Sequence, residues 1–100
     1  MKIEWSEDFK KECAKADKAL GEESGCFLEA ATNSLEYTAF EEDLDRLDKV
    51  GYFCFDFEDW TTYTGLVHLR VETIEIDKDD VLNWKEYYAY RKTMFKLEGA

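Results

Sequence analysis

Cys54 and His68 are the residues with the most chemistry to offer, and they stand on what the apolar alternation reads as neighbouring strands. A thiol beside an imidazole is an activated nucleophile, provided that ring nitrogen and sulfur come within hydrogen-bond reach. No catalytic-cysteine signature surrounds Cys54, and Arg70 competes for the position next to it. His68 is the sole histidine. Its plainer reading is a surface strand residue paired with Asp56. Zinc requires three or four grouped Cys and His ligands, whereas Cys13, Cys26, Cys54 and His68 are scattered. Three cysteines form neither a disulfide framework nor a CxxC motif, and they read as reduced thiols filling core space.

Asp77-Lys78-Asp79-Asp80 invites a calcium reading. An EF-hand loop then needs glycine at its sixth position and glutamate at its twelfth, where Leu82 and Tyr88 stand instead. Helix capping explains these aspartates better. Paired carboxylates for glycoside chemistry carry no signal among 24 acids, and the five isolated glycines build no phosphate loop. No metal or cofactor is implied. A small enzyme or ligand-binding domain around Cys54 and His68 is the weaker expectation.

The acids themselves are the stronger signal. The 100 residues carry 24 Asp and Glu against 13 Lys and Arg, for a formal charge of −11. That balance argues against direct contact with nucleic acid or with an anionic membrane, both of which call for clustered Lys and Arg. No apolar run approaches the roughly 18 residues of a spanning helix. The first residues have no apolar signal-peptide core, so the cytosol is the expected compartment. The 16% aromatic content argues against an acidic disordered chain. The charge is uneven: residues 1–21 are net 0, residues 81–100 net +2, and residues 22–80 hold 17 acids and four bases, net −13.

The elements that must position these residues follow from periodicity. Trp5, Phe9, Cys13, Ala16 and Leu20 form one helical stripe, with Ser6 as N-cap and Gly21 as a left-handed stop, which predicts a helix over 7–20. Residues 22–37 read as a short helix with Ser24 as its cap and then a short strand at Leu35-Glu36-Tyr37; a hairpin turning at Thr32-Asn33-Ser34 is the other option. Thr38 to Glu41 reads as a capping box opening a helix over 39–50, with Phe40, Leu44 and Leu47 inward and Gly51 as terminator. Tyr52 to Glu58 and Leu66 to Ile76 read as two strands. Matching Phe53, Phe55 and Phe57 to Val71, Leu69 and Val67 sets a register that brings Asp56 opposite His68 and Cys54 opposite Arg70. Val81, Trp84, Tyr88 and Phe95 mark a last helix over 80–97, ended by Gly99. The expected fold class is α+β, a small antiparallel β-sheet packed against about three α-helices, in a single globular domain spanning 1–100.

On the 39–50 helix, Glu41, Asp45 and Asp48 fall on one exposed stripe, with Glu42 and Asp43 alongside. Like charges at this spacing cost roughly 0.2–0.5 kcal/mol per pair. Glu42 with Arg46 and Asp45 with Lys49 offer partial relief, while Glu41, Asp43 and Asp48 have no such helical partner. A second cluster, Asp56, Phe57, Glu58, Asp59, Trp60 and Tyr63, puts acids and large aromatics on one inter-strand loop, a combination suited to steering and anchoring a protein partner. The 39–50 helix is about 18 Å long, and duplex DNA of that length carries on the order of ten charges. Five acids against two bases fall short of that alone. The whole central segment approaches it if residues 22–59 and 72–80 share one face.

In composition the chain resembles the DNA-mimic and anti-defence proteins of bacteriophages, including anti-CRISPR proteins. The resemblance rests on small size, acidity and aromatic content. It implies a non-enzymatic inhibitor that binds a basic nucleic-acid-handling protein and competes with its DNA or RNA, in the host cytosol if phage-encoded. The expected contact residues are Glu41, Glu42, Asp45, Asp48, Asp56, Glu58, Asp59, Trp60 and Tyr63. An immunity or antitoxin-like protein that neutralises a basic nuclease toxin would use the same physics.

Overall fold

The structure, a computed structural model, describes residues 1–63 and 66–98; for 55–63, 66–72, 74 and 98 it describes the backbone alone. Among the described residues the order is α1 (Glu7–Ala19), α2 (Cys26–Asn33), a π-helical turn (Ser34–Thr38), α3 (Glu41–Val50), β1 (Tyr52–Tyr63), β2 (Leu66–Asp77), a 3₁₀ turn (Lys78–Asp80) and α4 (Trp84–Glu98). The chain is α+β: four helices and a two-stranded antiparallel sheet whose base packs on them. Gly99 lies outside the described residues.

α1 forms as its sequence dictates. Ser6 Oγ accepts from the Phe9 amide at 3.2 Å, and Gly21 follows the helix at φ +71°, a conformation that costs glycine nothing. Phe9 and Cys13 are buried, and Trp5 stacks on Phe9 with ring centroids 4.5 Å apart. The Trp5 indole also donates to Thr32 Oγ1 at 2.9 Å, tying α1 to α2. A short antiparallel bridge from Trp5 to Val81 holds the segment before α1 against the segment before α4.

The α1–α2 connection departs from expectation. Ser24 does not cap α2; its N-cap is Gly25 at φ +92°. The cap comes instead from Asp17 of α1, which is only 3% exposed. Its two carboxylate oxygens accept from the Gly25 and Phe27 amides at 3.0 and 2.9 Å. A buried carboxylate is tolerable when backbone donors satisfy it, and here it satisfies two of α2's unpaired amides in return.

Leu35-Glu36-Tyr37 is no strand. It lies in the π-helical turn, where Leu35 is fully buried and Tyr37 is exposed. Thr38 belongs to that turn, its hydroxyl donating to Ser34 O at 2.8 Å, and so does not occupy the N-cap position of the next helix. α3 therefore starts later than 39, with Phe40 at its N-cap and the Asp43 carboxylate accepting from the Phe40 amide at 3.3 Å. Leu44 and Leu47 are fully buried, but Phe40 points to solvent rather than inward. Gly51 ends the helix at φ +97°.

The strands pair with Phe53 opposite Ile76 and Phe55 opposite Ile74, which overturns the expected register. β2 changes apolar parity along its length: Val67, Leu69 and Val71 are odd, Ile74 and Ile76 even. The base of the ribbon decides, because Ile76 is fully buried and Phe53 packs on the same core. A one-residue slip there would turn Ile76 to the other face. Asp56 consequently pairs with Thr73 and His68 with Thr61, on opposite faces of the ribbon.

The last helix is shorter than expected. The Asp80 carboxylate accepts from the Asp77 amide at 2.8 Å and fixes the 3₁₀ turn, and α4 begins only at Trp84. Its most buried residue is Tyr87, off the expected stripe, with its hydroxyl donating to Leu35 O at 2.9 Å. Burial pushes the Tyr87 hydroxyl up to about 12. No helix among the described residues is long and apolar enough to cross a membrane.

Candidate functional site

The acids of α3 lie against α4. Lys92 donates to Glu41 Oε1 at 2.7 Å and to Asp45 Oδ1 at 3.2 Å, and the Tyr88 hydroxyl donates to Asp45. The Tyr88 and Lys92 hydrogen bonds hold the Asp45 carboxyl below the usual aspartate range, and the bond to Glu41 raises the Lys92 ammonium. The same Asp45 bond raises the Tyr88 hydroxyl. Arg91 adds a bond to Ala39 O at 3.1 Å. Asp48 sits 3.6 Å from Lys78 Nζ, which also donates to its backbone carbonyl at 3.3 Å. The stripe of Glu41, Asp45 and Asp48 is thus not a bare anionic face. All three meet cations from other elements that helical spacing alone does not reveal, Glu41 and Asp45 sharing the single Lys92 ammonium, and they fasten α3 to α4 and to the turn after β2.

Glu42 is exposed on the outer side of α3. Tyr37 and Phe40, five and two positions before it in sequence, are 77% and 70% exposed. These two aromatics were missing from the sequence-based contact set, because Phe40 reads as the first inward position of α3 and Tyr37 as a strand residue. The signal that could have found them is the hydrogen-bonding competition of Ser34 and Thr38, which favours a local turn over a strand. π-helical turns are rare and occur often at functional sites. Here the turn delivers an aromatic, Tyr37, to water four positions ahead of the acidic start of α3.

The second expected cluster is not a loop. Asp56, Glu58, Asp59, Trp60 and Tyr63 are all within β1, and their side chains lie outside the described residues. Backbone alternation assigns Asp56, Glu58 and Trp60 to one face of the ribbon and Asp59 and Tyr63 to the other, so the five positions do not form one surface. Cys54 is exposed and pairs with Glu75. His68 lies seven residues along β2 from that partner, roughly 23 Å away. The register therefore does not assemble a Cys54–His68 pair. Comparisons with protein families, curated proteins and solved structures return no match.

Proposed function

We propose that this chain is a non-enzymatic acidic inhibitor that docks on a basic, nucleic-acid-handling protein in the cytosol and competes there with DNA or RNA. The observation that carries the reading is the placement of exposed Tyr37 and Phe40 within five positions of exposed Glu42. Exposed apolar area costs about 25 cal/mol per Å² relative to burial, and aromatics flanked by charge are the usual anchors of protein interfaces. A charge of −11 steers a cationic surface toward the chain. The aromatics then hold it once contact is made. Glu42 is the acid best suited to the partner, whereas Asp45 and Asp48 act within the fold.

The test is a pull-down from cytosol at low and high salt. Wild type should retain a basic partner, with retention falling at high salt. Tyr37→Ala with Phe40→Ala should lose it while remaining folded by circular dichroism. Unaltered retention by that double variant would rule out the surface, and retention of free nucleic acid or of no basic protein would rule out the function. A secreted or plasmid-borne nuclease as the retained protein assigns the chain to the immunity type instead.

A further inference from the structure

An open groove of about 580 Å³ runs between α1 and the end of β2, with no residue of α3 in its walls. Its floor is apolar: Phe9, Cys13, Ala16 and Phe27. Burial, with Asp17, Asp80 and Glu12 nearby, pushes the Cys13 thiol up to about 11, so the floor is uncharged at neutral pH. The banks are acidic. Asp8 and Glu12 stand on the α1 side, and Glu75, Asp77 and Asp80 on the other. No Lys or Arg is among the described lining residues. Glu12 meets Lys15 at 3.4 Å on the exposed side of α1, and the other four make no ion pair among the described residues. Burial and the neighbouring carboxylates of Asp77, Asp79 and Asp8 raise Asp80 above the usual aspartate range. An apolar trough between two anionic banks, four of whose five acids make no ion pair among the described residues, is complementary to one kind of surface.

We propose that the α1–β2 groove is a docking site for a cationic amphipathic segment of a partner protein, its apolar side chains on Phe9, Cys13, Ala16 and Phe27 and its Lys or Arg on the two banks. The shape favours a polypeptide over a small amine. From Asp8 to Leu20 the α1 wall runs roughly 18 Å, three turns of helix, and remains open along its length, whereas small-molecule sites enclose most of their ligand. Helix-in-groove recognition uses anchors at such spacing. This inference stands apart from the Tyr37–Phe40 surface and does not depend on it.

The probe is a synthetic amphipathic helix of about 14 leucines and lysines, roughly 21 Å long. It should bind the full chain saturably in titration calorimetry. Glu12→Lys with Glu75→Lys, both at exposed positions, should weaken it about tenfold or more. Ala16→Trp, which fills the trough, should do the same. Tyr37→Ala with Phe40→Ala should leave it unchanged. Binding and chemical-shift changes should map to α1 and residues 73–80. Several results overturn the proposal: equal binding of a lysine-only peptide, equal binding of a leucine–glutamate peptide, full affinity in the Glu12 and Glu75 double variant, shifts confined to α3 and α4, preference for a small lipophilic amine over the peptide, or a dimer in sedimentation whose interface is this groove. Because the Tyr37–Phe40 variant is read in the same titration, failure of the groove and failure of the proposed function are separable.

Discussion

Asp45 and Asp80 are both half-buried aspartates, yet they titrate in opposite directions. Asp45 on α3 is met by Tyr88 and Lys92 of α4, and its carboxyl is lowered. Asp80 beside the α1–β2 groove is partly desolvated among Asp77, Asp79 and Asp8, with one backbone bond in return, and its carboxyl is raised. The contrast separates the acids of the chain into two kinds. Those held from another element by a cation or by two backbone donors are fasteners, and they account for much of α3. Those left crowded or bare, around the groove and at Glu42, are where a cationic partner has something to gain. A net charge of −11 does not distinguish them.

Asp17 is the extreme fastener, and its loss carries the largest expected effect. Asp17→Ala strands two amides at the start of α2 and should cost about 3 kcal/mol, a fall in Tm of roughly 10–20 °C, measured by thermal melting. A fall under about 3 °C would mean that α2 does not depend on this carboxylate.

The pH dependence of the two aspartates comes next. Asp45, lowered in the fold, contributes stability that is present above its unfolded value near pH 4 and is lost as pH falls through the folded one. Asp80, raised in the fold, does the reverse. Its ionisation opposes folding, and that cost is complete above the raised value and disappears as pH falls below about 4. Asp45→Asn should lower the Tm at pH 7 and flatten the acid side of the profile. Asp80→Asn keeps an oxygen to accept from the Asp77 amide and should raise the Tm at pH 7. Melting curves at pH 3–7 check both signs.

Smaller still are the surface effects on stability. Phe40→Ala should change the unfolding free energy by less than about 0.5 kcal/mol while reducing partner retention, which places Phe40 in recognition rather than packing. Glu42→Lys should leave the melting curve in place and reduce retention most at low salt.

Much of the helical scaffold was legible. Ser6, the Trp5–Phe9–Cys13 spacing and Gly21 define α1, and Leu44, Leu47 and Gly51 define α3, because helical periodicity and left-handed glycine act locally. Three features were not. The Asp17 cap acts between elements, and an acid within an apolar stripe carries no local mark. The strand register was set by Ile76 at the base of the ribbon, while the longer apolar run at Val67–Val71 argued for the other parity. The spacing of the acidic stripe on α3 is legible, but its cations are not, since helical spacing offers only Lys49 to Asp45 while Lys92 and Lys78 are distant in sequence. Of the proposed surface, Glu41 and Glu42 are acids that the sequence offers as contacts, whereas the exposure of Tyr37 and Phe40 is visible only in the fold.

The distinction between fastening and recruiting acids is tested most directly by carbon-detected NMR titration of the Asp45 and Asp80 side-chain carboxyls in the free chain. Asp45 should titrate below and Asp80 above the unfolded aspartate value of about 3.9. Addition of the leucine–lysine peptide should lower Asp80 and leave Asp45 where it was. Two carboxyls with the same midpoint, or a reversed order, would contradict the distinction.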